Sequence, residues 1–324
     1  MISIILFGKY DNYTKTRREL ISYSIKDLSI NLKKKKIKSE IIICDSSSGP
    51  NTLMNSGIFK NISNKMVSLK FILIKYKNQS SNFSKICDSK NYGFLNSKYD
   101  FILLKALDTL FNKELFNEIK KSIKSKRNYF YSTFRYDSPL ISKKLNFKKI
   151  DLYLNKKKIK FIKQKKIDHE KDFFFLNLHT NACGDFILFN KSLNKNINYP
   201  DFFYFSDLLF IYQLYLNGAK QKIIKKGKVF KLVTGSTWKN NVSVKKLNYL
   251  QSKFEYYLYK YFDSRIINIF RGIFNYPKLV YKNKTSKISY ENFVYLKIFL
   301  SKIFKIRNLY PKKKYYNKDV VYIK

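Results

Sequence analysis

Short apolar runs recur through the first third of the sequence, and longer polar or amphipathic stretches separate them. The runs read ISIILF, EIIICD, KFILIKY and DFILLKALD, and segments of helical character such as RRELISYSIKDL lie between them. Buried strands that alternate with helices form βαβ units, whose strands lie parallel in one sheet. The sequence therefore predicts an α/β fold with a mainly parallel central sheet flanked by helices.

The composition narrows the class of protein. The 324 residues are 45% hydrophobic and 18% aromatic, which is enough to bury a large core. The 3 cysteines form no CxxC pair, and the 2 histidines are too few for a multi-histidine metal centre. No run reaches the roughly 18 apolar residues of a spanning helix, and the amino terminus lacks a signal-peptide pattern. We expect a cytoplasmic location, either free or peripheral on the inner face of the membrane.

The basic charge indicates either an anionic partner or a biased residue composition. A formal net charge of +44, from 66 Lys+Arg against 22 Asp+Glu, suggests nucleic acid or an anionic membrane surface as a partner. The favoured residue types are, however, those of A/T-rich codons, so many lysines are expected on a solvated surface. The aromatic residues fall largely inside apolar runs, which disfavours nucleic acid as a partner. A nucleic-acid-binding basic protein stays as the alternative function.

Polar residues follow the ends of the predicted strands, where ligands bind in open α/β sheets. Lys9 and Asp11 follow the first run, Asp45 ends the second, and Asp108 follows the fourth. A carboxylate at such a place can accept hydrogen bonds from ribose hydroxyls or coordinate a cation on a diphosphate. The alternative for each is a helix cap or a turn residue, because Asp and Ser favour those positions too.

The order of these features, up to about Asp137, resembles the nucleotide-sugar half of GT-A glycosyltransferases, in particular the family 2-like group. In the stretch CDSKNYGFLNSKYDFILLKALD, Asn91 and Gly93 match the family pattern, and the last residues take the place of its DxD turn. The resemblance implies a GT-A fold. It also implies that the nucleotide sugar is bound by Asp11, Asp45, Asn91 and Asp108.

The DxD-like turn reads Ala106-Leu107-Asp108, so only the second carboxylate of the family motif is present. The resemblance implies Asp108 as the metal ligand, and one carboxylate can hold Mg²⁺ or Mn²⁺ together with phosphates and waters. Alternatively, lysines neutralise the diphosphate. The candidates are Lys9, Lys105 and Lys231, the last of which stands where family members often carry a histidine.

Residues 179–218 resemble the acceptor half of the same family. NACGDFILFNKSL supplies a small-residue stretch and a strand, and SDLLFIYQLYLNGAK supplies a helix with an acid in its first turn, which Ser206 would cap. The resemblance implies Asp207 as the general base of an inverting transfer. It places Gly184 and Asp185 beside the sugar or acceptor. Without the resemblance, Asp207 is an ordinary helix-start acid, and Gly184 and Asp185 are tight-turn residues.

The expected organisation follows from the resemblance. Residues 1–245 form the GT-A catalytic domain, with a nucleotide-sugar half at 1–137, an insertion at 138–178 and an acceptor half at 179–245. Alternating apolar and lysine positions in the insertion predict edge strands or a hairpin. Residues 246–324 form a helical, basic and aromatic extension, which either lies on an anionic membrane or packs on the catalytic domain.

The resemblance implies a glycosyltransferase that moves a sugar from a nucleotide-sugar donor to a glycan or lipid-linked acceptor. Arg135 and Asp137 either line the site or form an internal salt bridge. Because Ala106 and Lys231 depart from the family pattern, a catalytically weakened homologue is a further alternative. Such a protein would bind a sugar nucleotide or a glycan without turnover.

Overall fold

The structure, a computed structural model, describes residues 1–8, 15–47, 53–57, 62–74, 82–125, 127–139, 162–163, 184–194, 197–199, 207, 210–211, 214, 217–232 and 320–323. Its strands are β1 Ile2–Gly8, β2 Ser39–Asp45, β3 Val67–Ile74, β4 Phe101–Ala106, β5 Thr109–Phe111, β6 Tyr129–Asp137, β7 Ile162–Lys163, β8 Ile187–Asn190, β9 Lys220–Lys231 and β10 Val320–Ile323. Its helices are α1 Lys15–Lys34, α2 Asn82–Leu95, α3 Lys113–Ser122 and the 3₁₀ turn Met54–Ser56.

All of these strands belong to one sheet. The order is β10-β3-β2-β1-β4-β8-β6-β9-β5, and β7 pairs with β6 beside this path. β1 lies parallel to both β2 and β4, β2 lies parallel to β3, and β6 lies parallel to β9. β8 runs antiparallel to both of its neighbours, β4 and β6, and so joins the two halves of the sheet. The predicted α/β fold is confirmed. Parallel pairing joins β3, β2, β1 and β4, and also β6 and β9, whereas the other five pairings of the described strands are antiparallel.

The central strand β1 is covered on both faces, which explains its unbroken apolar sequence. Successive side chains of a strand point to opposite faces. Ile4 and Leu6 belong to the cluster of buried residues that also contains Ile21 and Ile25 of α1. Ile5 points to the other face, where α2 packs on the sheet. The helices therefore flank the sheet, as predicted.

Gly93 allows α2 to pack closely on β1. A Cβ atom on this glycine would lie 2.4 Å from Cγ2 of Ile5, a distance that real Cβ contacts do not show. Any side chain here would push the helix away from the sheet or displace the isoleucine. The glycine of the family-like pattern is thus explained by helix-to-strand packing.

We expect Gly93→Ala to lower the free energy of unfolding by about 1–3 kcal/mol, because it overpacks this contact. Urea denaturation measures the loss. The second substitution Ile5→Ala removes the atom that the new methyl group would meet. In a double-mutant cycle the two losses should therefore sum to more than the loss of the double variant. Strictly additive losses would show that the contact is not the cause.

β9 contains a bulge that shifts its register against β6. With this shift, Lys231 at the end of β9 pairs with Asp137 at the end of β6. Thr133 pairs with Ile224, but the next residue of β6 pairs with Lys228, so Lys225–Gly227 bulge out of the ladder. The Thr133 hydroxyl lies 3.0 Å from the carbonyl oxygen of Ile224 and 2.6 Å from that of Gly227. After the bulge the register is regular, and β9 ends beside the last residue of β6.

Two expectations concern segments that are only partly described. In the insertion, Ile162–Lys163 forms the short strand β7 on β6, and the rest lies outside the described residues. In the extension 246–324, the described residues Val320–Ile323 form a strand where a helix was expected. The reason is pairing, because β3 presents the N–H and C=O groups of a sheet edge and β10 binds them antiparallel. No helix in the described part of the chain is long and apolar enough to cross a membrane.

Candidate active site

Polar residues that the sequence singled out gather at one edge of the sheet. β1, β2, β4, β6 and β9 run in the same direction, and the strand pairings bring their carboxyl ends together. These ends are at Gly8, Asp45, Ala106, Asp137 and Lys231. β8 runs the opposite way, so the turn that precedes it, with Gly184 and Asp185, comes to the same edge. Ligands bind at this edge in open α/β sheets.

Asp207 lies in a helical segment at this edge and forms an ion pair with Lys90 of α2. Nζ of Lys90 lies 2.5 Å from Oδ1 of Asp207, and the two side chains are 1% and 22% exposed. The ammonium group also lies 4.3 Å from the ring centre of Phe7 and 4.1 Å from that of Tyr199. Lys90 is therefore a buried cation, balanced by one carboxylate and two aromatic faces.

Gly184 packs closely against the other oxygen of Asp207. A Cβ atom on this glycine would lie 2.9 Å from Oδ2. The carboxylate is thus held at Oδ1 by Lys90 and faces a residue without a side chain at Oδ2. The absence of a side chain at Gly184 is thus needed for the close packing of this carboxylate, and its expected place beside the sugar or acceptor stays a prediction. Ser206, the expected helix cap, lies outside the described residues.

Arg135 ties the end of β6 to the turn before β8. Its Nε and Nη2 atoms lie 2.7 and 2.8 Å from the two oxygens of Asp137, and its Nη1 lies 2.8 Å from Oδ2 of Asp185. Burial alone would lower the pKa of Arg135, but Asp185 and Asp137 raise it above its ordinary value. Of the two alternatives that the sequence left for Arg135 and Asp137, the structure shows the internal salt bridge.

Asp108 is buried among cations after β4. Nη2 of Arg17, on α1, lies 2.9 Å from its Oδ2. Burial alone would raise the pKa of Asp108, yet Lys231, Arg17 and Lys105 hold that pKa below its ordinary value. Lys231 also lies 3.9 Å from Oδ1 of Asp185. We name Arg17, Lys105, Asp108, Arg135, Asp137, Asp185 and Lys231 the charged cluster.

Lys105 is the buried cation of this cluster, and its ammonium group is held by the protein itself. Nζ donates to Oγ of Ser24 at 2.7 Å and to the carbonyl oxygens of Ala106 and Thr109 at 3.0 and 2.7 Å. Burial lowers its pKa from 10.5 to about 8, although Asp108, Asp27 and Asp185 act to raise it. These bonds fix the DxD-like turn, and they direct the Lys105 ammonium to the protein backbone.

In the native chain, the free energy of unfolding should rise with pH because of Lys105. We expect the substitution Lys105→Met to remove this rise. Between pH 8 and 10.5 the native protein has released the Lys105 proton while the unfolded chain still binds it, so the free energy of unfolding increases. The difference in unfolding free energy between the native chain and Lys105→Met should therefore grow by about 3 kcal/mol between neutral pH and pH 10.5.

Urea denaturation at a series of pH values measures this difference. The variant Lys113→Met, at an exposed position of α3, controls for the general effect of alkaline pH. If the difference in unfolding free energy between the native chain and Lys105→Met stayed constant across the pH series, the lowered pKa of Lys105 would be contradicted.

Asp45 is buried and binds the loop that follows its own strand. Its Oδ1 accepts from the backbone N–H of Ser47 at 3.0 Å, and its Oδ2 accepts from that of Leu53 at 2.7 Å. These bonds hold the chain on both sides of residues 48–52, which lie outside the described residues. The nucleotide contact expected of Asp45 stays a prediction.

Asn91 holds the segment before the Asp207 helix. Its Nδ2 donates to the carbonyl oxygen of Tyr199 at 2.8 Å, and its Oδ1 accepts from the N–H of Tyr199 at 2.7 Å. Tyr199 is buried and stacks on Phe210 with ring centres 4.4 Å apart. Asn91 thus holds Tyr199 to α2, and its contact with a nucleotide sugar stays a prediction.

Sequence reasoning missed Lys90 and Arg17, and two predicted residues lie outside the described ranges. Lys9 and Asp11 lie within residues 9–14, which the structure does not describe. Lys90 stands directly before Asn91 in the family-like pattern, and Arg17 stands in the first turns of α1. In a chain with 66 Lys+Arg, neither residue carries a sequence signal that separates it from the surface.

The charged cluster does not fit a divalent cation. Mg²⁺ and Mn²⁺ need several oxygen ligands, but Ala106 replaces the first carboxylate of the DxD turn and Arg17 binds an oxygen of the second. No group of three His, Cys, Asp or Glu side chains among the described residues has the arrangement of a metal site. The cations around Asp108 would also repel the ion.

Comparisons with known proteins add the following. No protein-family model matches the sequence, and no curated protein matches it. S. aureus TarS 1-349 in complex with UDP-GlcNAc is 14% identical, with a TM-score of 0.49 over 75% of this chain and 61% of that chain. The complex of the same TarS segment with UDP is 16% identical, with a TM-score of 0.44 over 72% and 60%.

A further structure of S. aureus TarS is 15% identical, with a TM-score of 0.46 over 72% of this chain and 36% of that chain. The chain thus spans between 36% and 61% of the length of these TarS chains. The fold is assigned from the order and direction of the strands in the sheet. Parallel strands in the order β3-β2-β1-β4, an antiparallel β8 beside β4, and an acidic turn after β4 give this chain a GT-A-like α/β fold.

Proposed function

We propose that this protein is a glycosyltransferase that moves a sugar from a nucleotide-sugar donor to a glycan or lipid-linked acceptor. The observation that carries the proposal is the Asp207 carboxylate. It lies at the ligand-binding edge of a GT-A-like sheet, partly open to solvent, with one oxygen anchored by Lys90 and the other facing Gly184. This is the arrangement that a fixed general base requires.

The proposed reaction inverts the configuration at the anomeric carbon. The bond between that carbon and the donor diphosphate breaks, and its electron pair stays on the diphosphate oxygen. The acceptor hydroxyl oxygen forms the new bond from the opposite face, and its proton passes to Asp207. Oδ2 is the oxygen that we assign to this proton, because Lys90 holds Oδ1.

Two other groups of residues support the donor in this proposal. The leaving diphosphate gains negative charge, so fixed positive charge at its position lowers the barrier. The charged cluster supplies such charge at the same edge of the sheet. Asp45 and the loop that it holds lie at the end of the neighbouring strand β2, where a nucleoside would extend across the sheet edge.

A second candidate is a homologue that binds the sugar nucleotide without transferring the sugar. The Lys90 ion pair favours it, because the ammonium group competes with the acceptor proton for the carboxylate of Asp207. Both candidates predict binding of a nucleotide sugar. Only the transferase releases the free nucleotide in the presence of an acceptor.

A panel of UDP-, GDP-, CMP- and dTDP-sugars tests the proposal. At a hundredfold excess over Kd, one nucleotide class should raise the Tm of the native chain by about 5 °C. Release of nucleotide upon addition of candidate glycan and lipid-linked acceptors then measures transfer. A folded protein that none of these compounds stabilises would overturn the proposal. Stabilisation without nucleotide release, across the acceptors, would favour the second candidate.

A further inference from the structure

We infer that this site binds the donor diphosphate without a divalent cation, and that Arg17 and Lys231 supply the positive charge which a metal ion would otherwise provide. Asp108 then acts as a positioning residue for these two side chains. The inference rests on the proposed function, because it concerns the donor of that reaction. It assigns to Arg17 a role that the sequence did not indicate.

The position of Arg17 is the first support. It lies in the first turns of α1, which starts beyond the carboxyl end of β1, and this helix has no acidic residue in its first turn. The amino end of a helix carries partial positive charge, so cations there are unfavourable unless an anion is close by. In the described residues Arg17 reaches Asp108, which lies at the expected diphosphate position. A guanidinium group can bind two phosphate oxygens at once.

The charge balance of the cluster is the second support. It contains four cations, Arg17, Lys105, Arg135 and Lys231, against three carboxylates, Asp108, Asp137 and Asp185. Arg135 is bound by Asp137 and Asp185, and Lys105 is bound by a hydroxyl and two carbonyl oxygens. Arg17 and Lys231 are partly exposed members of the same cluster. The four cations and three carboxylates leave the cluster a net charge of +1.

The surroundings of Asp108 are the third support. A metal ligand must offer its oxygens to the ion, but Arg17 already lies 2.9 Å from Oδ2 of this carboxylate. The three cations around Asp108 outweigh the effect of its burial and keep it ionised. An added divalent ion would displace Arg17 and meet the repulsion of Lys231 and Lys105. A phosphate group, in contrast, would be attracted by the same side chains.

The decisive experiment measures the affinity for UDP and for GDP by calorimetry, in EDTA and with Mg²⁺ or Mn²⁺. We expect at least one of the two nucleotides to bind, with a Kd that differs by less than about threefold between these buffers. A Kd that weakens about tenfold or more in EDTA would overturn the inference and leave the proposed function standing. Binding of neither nucleotide in any buffer would overturn the inference, and the panel of four donor classes would then decide the proposed function by itself.

The substitution Asp108→Asn distinguishes a metal ligand from a positioning residue, because the two roles predict opposite changes in nucleotide affinity. As a metal ligand, the carboxylate would strengthen nucleotide binding, so its loss would weaken binding in Mg²⁺ by about tenfold or more. As a positioning residue next to a phosphate, it also repels the ligand. We therefore expect Asp108→Asn to bind the nucleotide at least as tightly as the native chain, in both buffers.

Arg17→Gln tests the new residue directly. Loss of a charge-assisted hydrogen bond to phosphate should weaken nucleotide binding about tenfold or more in EDTA, and a lower salt dependence should accompany the loss. Arg127→Gln, which removes the same charge at an exposed place between α3 and β6, is the matched control and should leave the Kd unchanged. An unchanged Kd in Arg17→Gln, with circular dichroism as in the native chain, would overturn the inference.

Discussion

In the proposed reaction, we expect Asp207→Asn to slow sugar transfer strongly while the donor still binds. Asparagine has nearly the same shape as aspartate, and its oxygen can still accept from Lys90, but it cannot take the proton of the acceptor hydroxyl. A general base contributes a factor of about 10²–10⁴ to the rate, so we expect kcat to fall by that factor. The nucleotide released per minute measures kcat, and the Tm shift with the donor measures binding.

Asp100→Asn makes the same chemical change at an exposed place before β4 and should leave both quantities unchanged. If Asp207→Asn kept more than about a tenth of the native kcat, Asp207 would not be the base. If the variant lost donor binding as well as transfer, the carboxylate would serve the donor instead. Loss of kcat alone is the result that the ion pair with Lys90 and the neighbouring Gly184 predict.

Asn91→Leu should cost the largest amount of stability among the substitutions considered. Leucine has a similar volume, but it removes the partners of both backbone groups of Tyr199. A buried polar group without a partner costs about 1–3 kcal/mol, so two such groups give an expected loss of about 2–5 kcal/mol. Urea denaturation measures the free energy of unfolding.

Asn117→Leu, at an exposed position of α3, is the matched control and should change the free energy of unfolding by less than about 0.5 kcal/mol. The donor-induced Tm shift of Asn91→Leu adds a second readout. If the side chain only holds Tyr199, the shift survives at a temperature where the variant is folded. A lost shift would return Asn91 to the nucleotide-binding role that the resemblance implied.

Periodicity predicted the sheet well because its signal is local. The four apolar runs named in the sequence analysis correspond to β1, β2, β3 and β4, each within a few residues of the predicted place. A strand buried on both faces requires a nearly unbroken run of apolar residues, which is the pattern of β1 and β2. The C-terminal strand β10 was missed, because its place is decided by the free edge of β3 and by no pattern of its own.

Asn91 and Gly93 were singled out because they match a family pattern, and the structure shows packing contacts for both. Sequence reasoning assigned Asn91 to the nucleotide sugar, whereas the described contacts show it bound to Tyr199, and Gly93 packs against Ile5. A family pattern records which residues recur without recording what they touch. Contacts between α2 and residues more than 80 positions away exist only after the chain has folded.

Lys90 and Arg17 were not predicted, and composition explains why. With 66 Lys+Arg in the chain, the expected place of any one basic residue is the solvated surface. Burial of Lys90 depends on Phe7, Tyr199 and Asp207, which come from distant parts of the sequence. Only the assembled sheet edge distinguishes these basic side chains from the others.

The pairing of β10 with β3 also bears on how the protein is made. During synthesis the chain emerges from its amino end, and about 250 residues separate the end of β3 from β10. At about 5–20 residues per second the ribosome needs roughly 12–50 s to add them. Throughout that interval β3 would present an open edge to other nascent chains. Completion of the sheet is therefore a late event, because the edge of β3 is closed by residues that are translated long after it.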